Sequence, residues 1–262
     1  MLKQEIKTQK VTTRSYWDSV WDLDGNDLKD PQYFYFGKNG LFNRLIRKCL
    51  GDISGRSVIE FGGGGLNYRL LNMVESLRSV GTALDYSSNG IAVLEKLFNE
   101  KGVAIHAILS DIDKFDVSEK YDIATHWGLA EHFSDPMFLF EKCYGCLKPG
   151  GKLLFSMPNM NSFAAKFWRR WCPQNWSKHV LHHPEKVIAL LNQCGFVNTK
   201  FFYYGVPAIK CADWEKSSKF QYLLKPLQII SSVSVRALPI FHAFGSKEIS
   251  MEVGFYAEKI SR

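Results

Sequence analysis

Four consecutive glycines, Gly62-Gly63-Gly64-Gly65, directly follow the apolar run Val58-Ile59-Glu60-Phe61, and this junction restricts the chain more than any other feature. A short β-branched run ending in side-chain-free backbone reads as a buried strand. It leaves its sheet through a loop whose main-chain N–H groups can meet a ligand at the next helix N-terminus. Similar short runs alternate with helical patterns as far as residue 159, so strands are expected at 57–61, 79–85, 104–109, 121–126 and 151–157, with helices beginning near Leu66, Ser88 and Pro136. This alternation builds βαβ units around a parallel sheet. In the second helix Ile91, Leu94 and Phe98 recur at helical spacing, and Ser88 and Asn89 are candidate caps. Residues 201–204 and 253–258 read as a closing antiparallel pair.

Dinucleotide enzymes use a similar strand, loop and helix, so the glycines alone do not choose a ligand. The ends of the next strands add information, because open α/β sheets bind ligands at their carboxyl edges. Asp85 stands roughly 20 residues beyond the glycines, where a carboxylate can accept both hydroxyls of a ribose. Asp111, followed by Ile112, closes the third strand, where a carboxylate can accept from an adenine amino group while the aliphatic neighbour packs on the ring. With Glu60 they form an ordered acidic set along one sheet edge.

Over residues 16–205, and again at the last strand, the chain resembles the class I S-adenosylmethionine (SAM) dependent methyltransferases. Glu60-Phe61-Gly62-Gly63-Gly64 is similar to that family's acidic-x-Gly-x-Gly motif, and Leu84-Asp85-Tyr86-Ser87 and Ser110-Asp111-Ile112 are similar to its second and third motifs. Leu147-Lys148-Pro149-Gly150-Gly151 resembles the turn before its fifth strand, and His126-Trp127-Gly128-Leu129-Ala130-Glu131-His132 the segment past its fourth. The chain departs from the pattern at Leu66, where the family often has a third glycine. The resemblance implies a Rossmann-like α/β fold, with about seven mostly parallel strands and helices on both faces. It also implies SAM as cofactor, held by Glu60, Gly62, Gly63, Gly64, Asp85, Tyr86, Asp111, Ile112, His126 and Trp127, with Glu60 near the methionine amino end and Asp85 on the ribose.

Methyl transfer to a hydroxyl requires alignment and a destination for the proton. The resemblance makes His132 the expected base, with Glu131 and His126 as lesser candidates. No metal is expected, because metal-binding relatives carry a further acidic residue where this chain has Gly128. The Asn/Asp-Pro-Pro-aromatic pattern of enzymes that methylate amides and nucleobase amines is absent, which argues against exocyclic amines and makes nucleic acid an unexpected partner. Aromatic and basic residues nearby, Tyr16, Trp17, Trp168, Arg169 and Trp176, are candidate acceptor contacts through stacking and charge. The expected reaction is O-methylation of a small-molecule or glycan hydroxyl. N- or C-methylation of a small metabolite, and a silent SAM-binding protein, remain open.

At 262 residues the chain is expected to be one domain: a helical N-terminal cap over 1–56, a cofactor-binding core over 57–159, and insertions with the last strands over 160–262. Its formal charge of +7 biases it toward anionic partners without naming one. The six scattered cysteines and the absence of a secretory leader fit a reducing cytoplasm, and Cys143 and Cys146 read as half-buried helix residues rather than metal ligands. The apolar segment 226–241 is interrupted by Ser231, Arg236 and Pro239, so no membrane span is expected. Residues 220–244 instead read as a helical insertion that packs on the sheet or, alternatively, rests on the inner membrane surface, with a loose likeness to methyltransferases of envelope glycans and lipid-linked intermediates.

Overall fold

A computed structural model describes residues 10–22, 40–117, 120–205 and 245–261. Seven strands form one sheet: β1 (Ser57–Phe61), β2 (Val80–Asp85), β3 (His106–Leu109), β4 (Tyr121–Trp127), β5 (Leu147–Pro158), β6 (Phe196–Tyr204) and β7 (Glu252–Lys259). The spatial order is β3-β2-β1-β4-β5-β7-β6, with β7 antiparallel to both neighbours and the first five strands parallel. All five expected parallel strands are present. β5 starts earlier than expected, at Leu147, and β6 runs longer, from Phe196.

The helices are α1 (Arg14–Val20), α2 (Leu41–Leu50), α3 (Tyr68–Glu75), α4 (Ser88–Glu100), α5 (Met137–Cys146), α6 (Phe163–Trp171), α7 (Pro173–Trp176) and α8 (Pro184–Gln193), with a 3₁₀ turn at Ala130–His132. Covered on both faces, β1 is buried at every residue after Ser57, as a central parallel strand must be. One core cluster packs Ile59, Phe61, Phe140, Phe155 and Phe255 on one face of the sheet. The other packs Phe42, Ile46, Val58, Leu70, Leu94 and Phe98 on the opposite face.

Two local expectations change. The cap of α4 is Ser87, whose Oγ accepts from the Gly90 N–H at 3.0 Å, not Ser88 or Asn89: Asn89 donates its side-chain N–H to the Asp18 carbonyl. Cys143 and Cys146 lie in α5 as expected but are fully buried. Among the described residues no helix is long and apolar enough to cross a membrane. The insertion expected over 220–244 and residues 1–9 and 23–39 of the expected cap lie outside the described residues.

After β2 and β3 are laid on one side of β1, the chain crosses back to place β4 on its other side. The loops leaving β1 and β4 therefore run apart, which opens a crevice between them at the carboxyl edge of the sheet.

Candidate active site

The crevice is a cleft of about 380 Å³. It is lined by the strand-tip residues Glu60, Gly62, Gly64, Asp85, Tyr86, Asp111, Ile112, Trp127 and Gly128, with His132 and Phe133 from the turn after β4. A volume of this size suits a small ligand or cofactor.

The glycine loop is shaped by what it approaches. The Gly64 N–H donates to Asp85 Oδ2 at 2.9 Å, and a Cβ on Gly64 would stand 2.9 Å from that carboxylate. Asp85 Oδ1 accepts from the Ser87 N–H at 2.8 Å, so the carboxylate is oriented by backbone on both sides. Burial nevertheless lifts its pKa above the ordinary range, against those backbone donors. Gly63 is buried behind the loop, where its carbonyl accepts from the Asn67 side chain at 2.9 Å, and it does not line the cleft.

Glu60 is 3% exposed at the tip of β1. Its Oε1 accepts from Asn67 Nδ2 at 2.7 Å, whereas Oε2 has no hydrogen-bond partner among the described residues. Burial is the largest influence on this carboxyl and pushes its pKa up to about 7, although the Asn67 amide and the Arg69 guanidinium pull the other way. An orphaned buried carboxylate oxygen facing a cleft fits a ligand that carries an N–H donor or an ammonium group.

Asp111 lies where expected, but its Oδ1 already holds Lys10 Nζ at 2.6 Å. Asp111 lies below the ordinary carboxylate range: Lys10 outweighs the upward push of burial. Lys10 belongs to an N-terminal strap, within the segment expected to form a cap, that lines the cleft. Val11 N–H donates to the His132 carbonyl at 2.9 Å, Asp18 accepts from Ser87 Oγ at 2.6 Å, and Trp17 and Trp21 line the cleft. Trp21 lies so close over the loop that a Cβ on Gly65 would meet its indole at 2.5 Å.

His132 is 5% exposed and reaches the cleft wall. Its Nδ1 lies 2.8 Å from the Lys178 carbonyl, and its ring meets Trp17 edge-on at 5.2 Å and His179 at 4.7 Å. Burial, reinforced by the neighbouring His179, lowers its pKa to about 4, so the imidazole is neutral near pH 7. Glu131 is buried behind it, with Oε2 unpartnered among the described residues; burial raises its pKa to about 8, helped by the nearby Glu252. Glu131, His132 and His179 present ligand-capable atoms within 4.8 Å of one another. The fold delivers His179 to this pair from the segment after α7, a proximity that no spacing in the sequence reveals.

Other expectations are corrected. His126 does not reach the cleft: it is fully buried, stacked on Phe155 at 4.2 Å, with burial holding its pKa near about 3. Side chains alternate across a strand, so Trp127 faces the cleft and its predecessor faces the core. Of the expected acceptor contacts only Trp17 lines the cleft. Tyr16 lies under Lys178 Nζ at 3.9 Å, Trp168 packs on Trp176 at 5.0 Å and on His179 at 4.7 Å, and Arg169 is exposed. Trp168 thus packs against His179, and Trp176 against Trp168, and neither lines the cleft.

Residues 33–200 match the profile of a family described as a methyltransferase domain, more than half of the chain. A ubiquinone biosynthesis O-methyltransferase of a Bradyrhizobium strain is 33% identical over 190 residues, covering 67% of this chain and 74% of that one. One from Nitrobacter winogradskyi is 26% identical over 219 residues, covering 76% and 82%. Among solved structures, phosphoethanolamine N-methyltransferase 2 of Haemonchus contortus in complex with SAM superposes with a TM-score of 0.61 over 94% of this chain and 60% of its own, at 17% identity. A putative methyltransferase bound to the Haloferax volcanii Trm112 activator also reaches 0.61, at 14% identity and 97% and 100% coverage. At such identities these structures speak for the fold alone.

Proposed function

Because this chain belongs to the SAM-dependent methyltransferases of class I, with their Rossmann-like fold, we propose that it methylates a hydroxyl group of a small molecule or glycan, at the His132 end of the cleft. SAM, when bound, supplies a methyl group on a positively charged sulfur. The residues present suit it: Glu60 offers its unpartnered oxygen toward the amino end, Gly62 and Gly64 admit close backbone approach, and Asp85 and Asp111 sit at successive strand tips for ribose and adenine. Strand order supports a place for the acceptor at the remaining end. With Asp111 on β3, Asp85 on β2 and Glu60 on β1, the turn after β4 lies on the far side of Glu60, so the acceptor enters beside His132.

The position of His132 carries this reading. A buried imidazole in its neutral form, held by the Lys178 carbonyl and braced by Trp17, offers a fixed polar group to an incoming hydroxyl. The relatives named for O-methylation, at up to 33% identity among those described above, point the same way. His132→Ala is expected to lower kcat by roughly 10²–10⁴-fold while SAM binding, read by calorimetry, stays within about twofold. Unchanged turnover would remove His132 from the chemistry. Nuclear magnetic resonance of the product from an acceptor screen checks the class directly: a methyl group on nitrogen or carbon refutes the hydroxyl assignment.

A further inference from the structure

With Asp111 read as the adenine residue, as above, we propose that Lys10 is a built-in competitor for the cofactor. Its ammonium group holds Asp111 in the empty cleft and must give that carboxylate up to the adenine amino group when SAM, or its product S-adenosylhomocysteine, binds.

Lys10 Nζ stands 2.6 Å from Asp111 Oδ1 and 3.4 Å from Asp113 Oδ2. The same Asp111 oxygen also accepts from the Asp113 N–H at 3.3 Å, so it is already engaged twice. An ammonium and an adenine amino group are both donors with nothing to offer each other, so each needs the carboxylate. Lys10 itself lines the cleft, and its side chain therefore stands beside the place that a ligand at Asp111 would take.

The lysine also has somewhere to go. A second cavity of about 620 Å³ adjoins the cleft: Lys10, Thr12, Tyr86 and Asp111 line both, whereas Arg14 and Lys114 line only the second. A rotation into that space keeps the ammonium within reach of Asp113, whose side chain is 46% exposed. The main chain need not follow. Lys10 forms a β-bridge with Phe133, and the Val11 N–H donates to the His132 carbonyl at 2.9 Å, so the strap stays tied to the acceptor end while the ammonium moves.

With Lys10 at 21% and Asp111 at 26% side-chain exposure, the pair is partly solvated, and its rupture lowers cofactor affinity by about two- to fivefold. SAM and S-adenosylhomocysteine share the adenosyl group, so both bear this penalty. Return of Lys10 to Asp111 then speeds release of the product.

Binding to the full chain is measured by calorimetry with S-adenosylhomocysteine and with its analogue carrying unsubstituted purine in place of adenine. Lys10→Met keeps an apolar stem and removes the charge. It is expected to bind S-adenosylhomocysteine about two- to fivefold more tightly and to release it more slowly in stopped-flow fluorescence. The purine analogue has no amino group to compete with the lysine, so its affinity should not change. Asp113→Asn removes the alternative partner of the lysine; it should weaken S-adenosylhomocysteine about twofold in the otherwise unsubstituted chain and have no effect in the Lys10→Met background. Equal or weaker binding of S-adenosylhomocysteine by Lys10→Met, with adenine still preferred over purine, overturns the competition and leaves Asp111 on adenine. Equal affinity of Lys10→Met for the two ligands refutes the placing of adenine on Asp111, and the competition falls with it.

Discussion

Glu60 is an almost wholly buried carboxylate at the wall of the cleft, and its pKa of about 7 has a measurable consequence. A folded-state pKa above the ordinary 4.5 means that the protonated form stabilises the empty protein. That contribution is complete below pH 4.5 and is lost as pH rises through about 7. If the ammonium group of SAM takes the ionised form, binding near pH 6 expels a proton. Calorimetry in buffers of different ionisation enthalpy should then show proton release at pH 6 that fades above pH 8 and vanishes in Glu60→Gln. Heats that do not vary with the buffer would refute the assignment. The same residue scale shows where motif reading fails. Glu60, Asp85 and Asp111 are strand-tip residues, and a tip is legible from where an apolar run stops. His126 and Trp127 sit inside a strand end, where a shift of one position exchanges core for cleft, and only the register of β4 against β1 and β5 decides between them.

Between elements, Ser87 couples the cofactor side of the sheet to the N-terminal strap. Its Oγ accepts from the Gly90 N–H at the start of α4 and donates to Asp18 of α1 at 2.6 Å. Ser87→Ala should cost about 1 kcal/mol in urea unfolding through the lost cap, and it should weaken SAM binding several-fold by loosening α1. Ser88→Ala, exposed and one residue further on, should stay within about 0.5 kcal/mol. Equal costs at both positions would show that the cap is misassigned. A helix start can be read from sequence to within a residue or two, because several Ser and Asn side chains compete there. Which of them caps depends on where the preceding strand releases the chain.

Across the whole molecule, β7 joins β5 and β6 into the sheet and completes the packing on one face. Phe255 pairs with Phe155 in register and stacks on it at 4.8 Å, fully buried. Phe255→Ala should therefore cost on the order of 3–5 kcal/mol, seen as a lower urea midpoint with an unchanged slope; a loss under about 1 kcal/mol would mean that β7 is peripheral to the core. The fold class followed from local pattern, because short buried runs alternating with amphipathic helices admit few arrangements besides a parallel sheet, and parallel strands must end on one side. The same rule brings the acidic tips and the glycine bend to one edge of the sheet. Tertiary packing alone set Lys10 on Asp111, 101 residues away, laid Trp21 over Gly65, and carried the Lys178–His179 segment to His132. Such contacts join segments whose own patterns say only that they are helix or loop, and their partners are chosen by the surface that the completed sheet leaves to be covered.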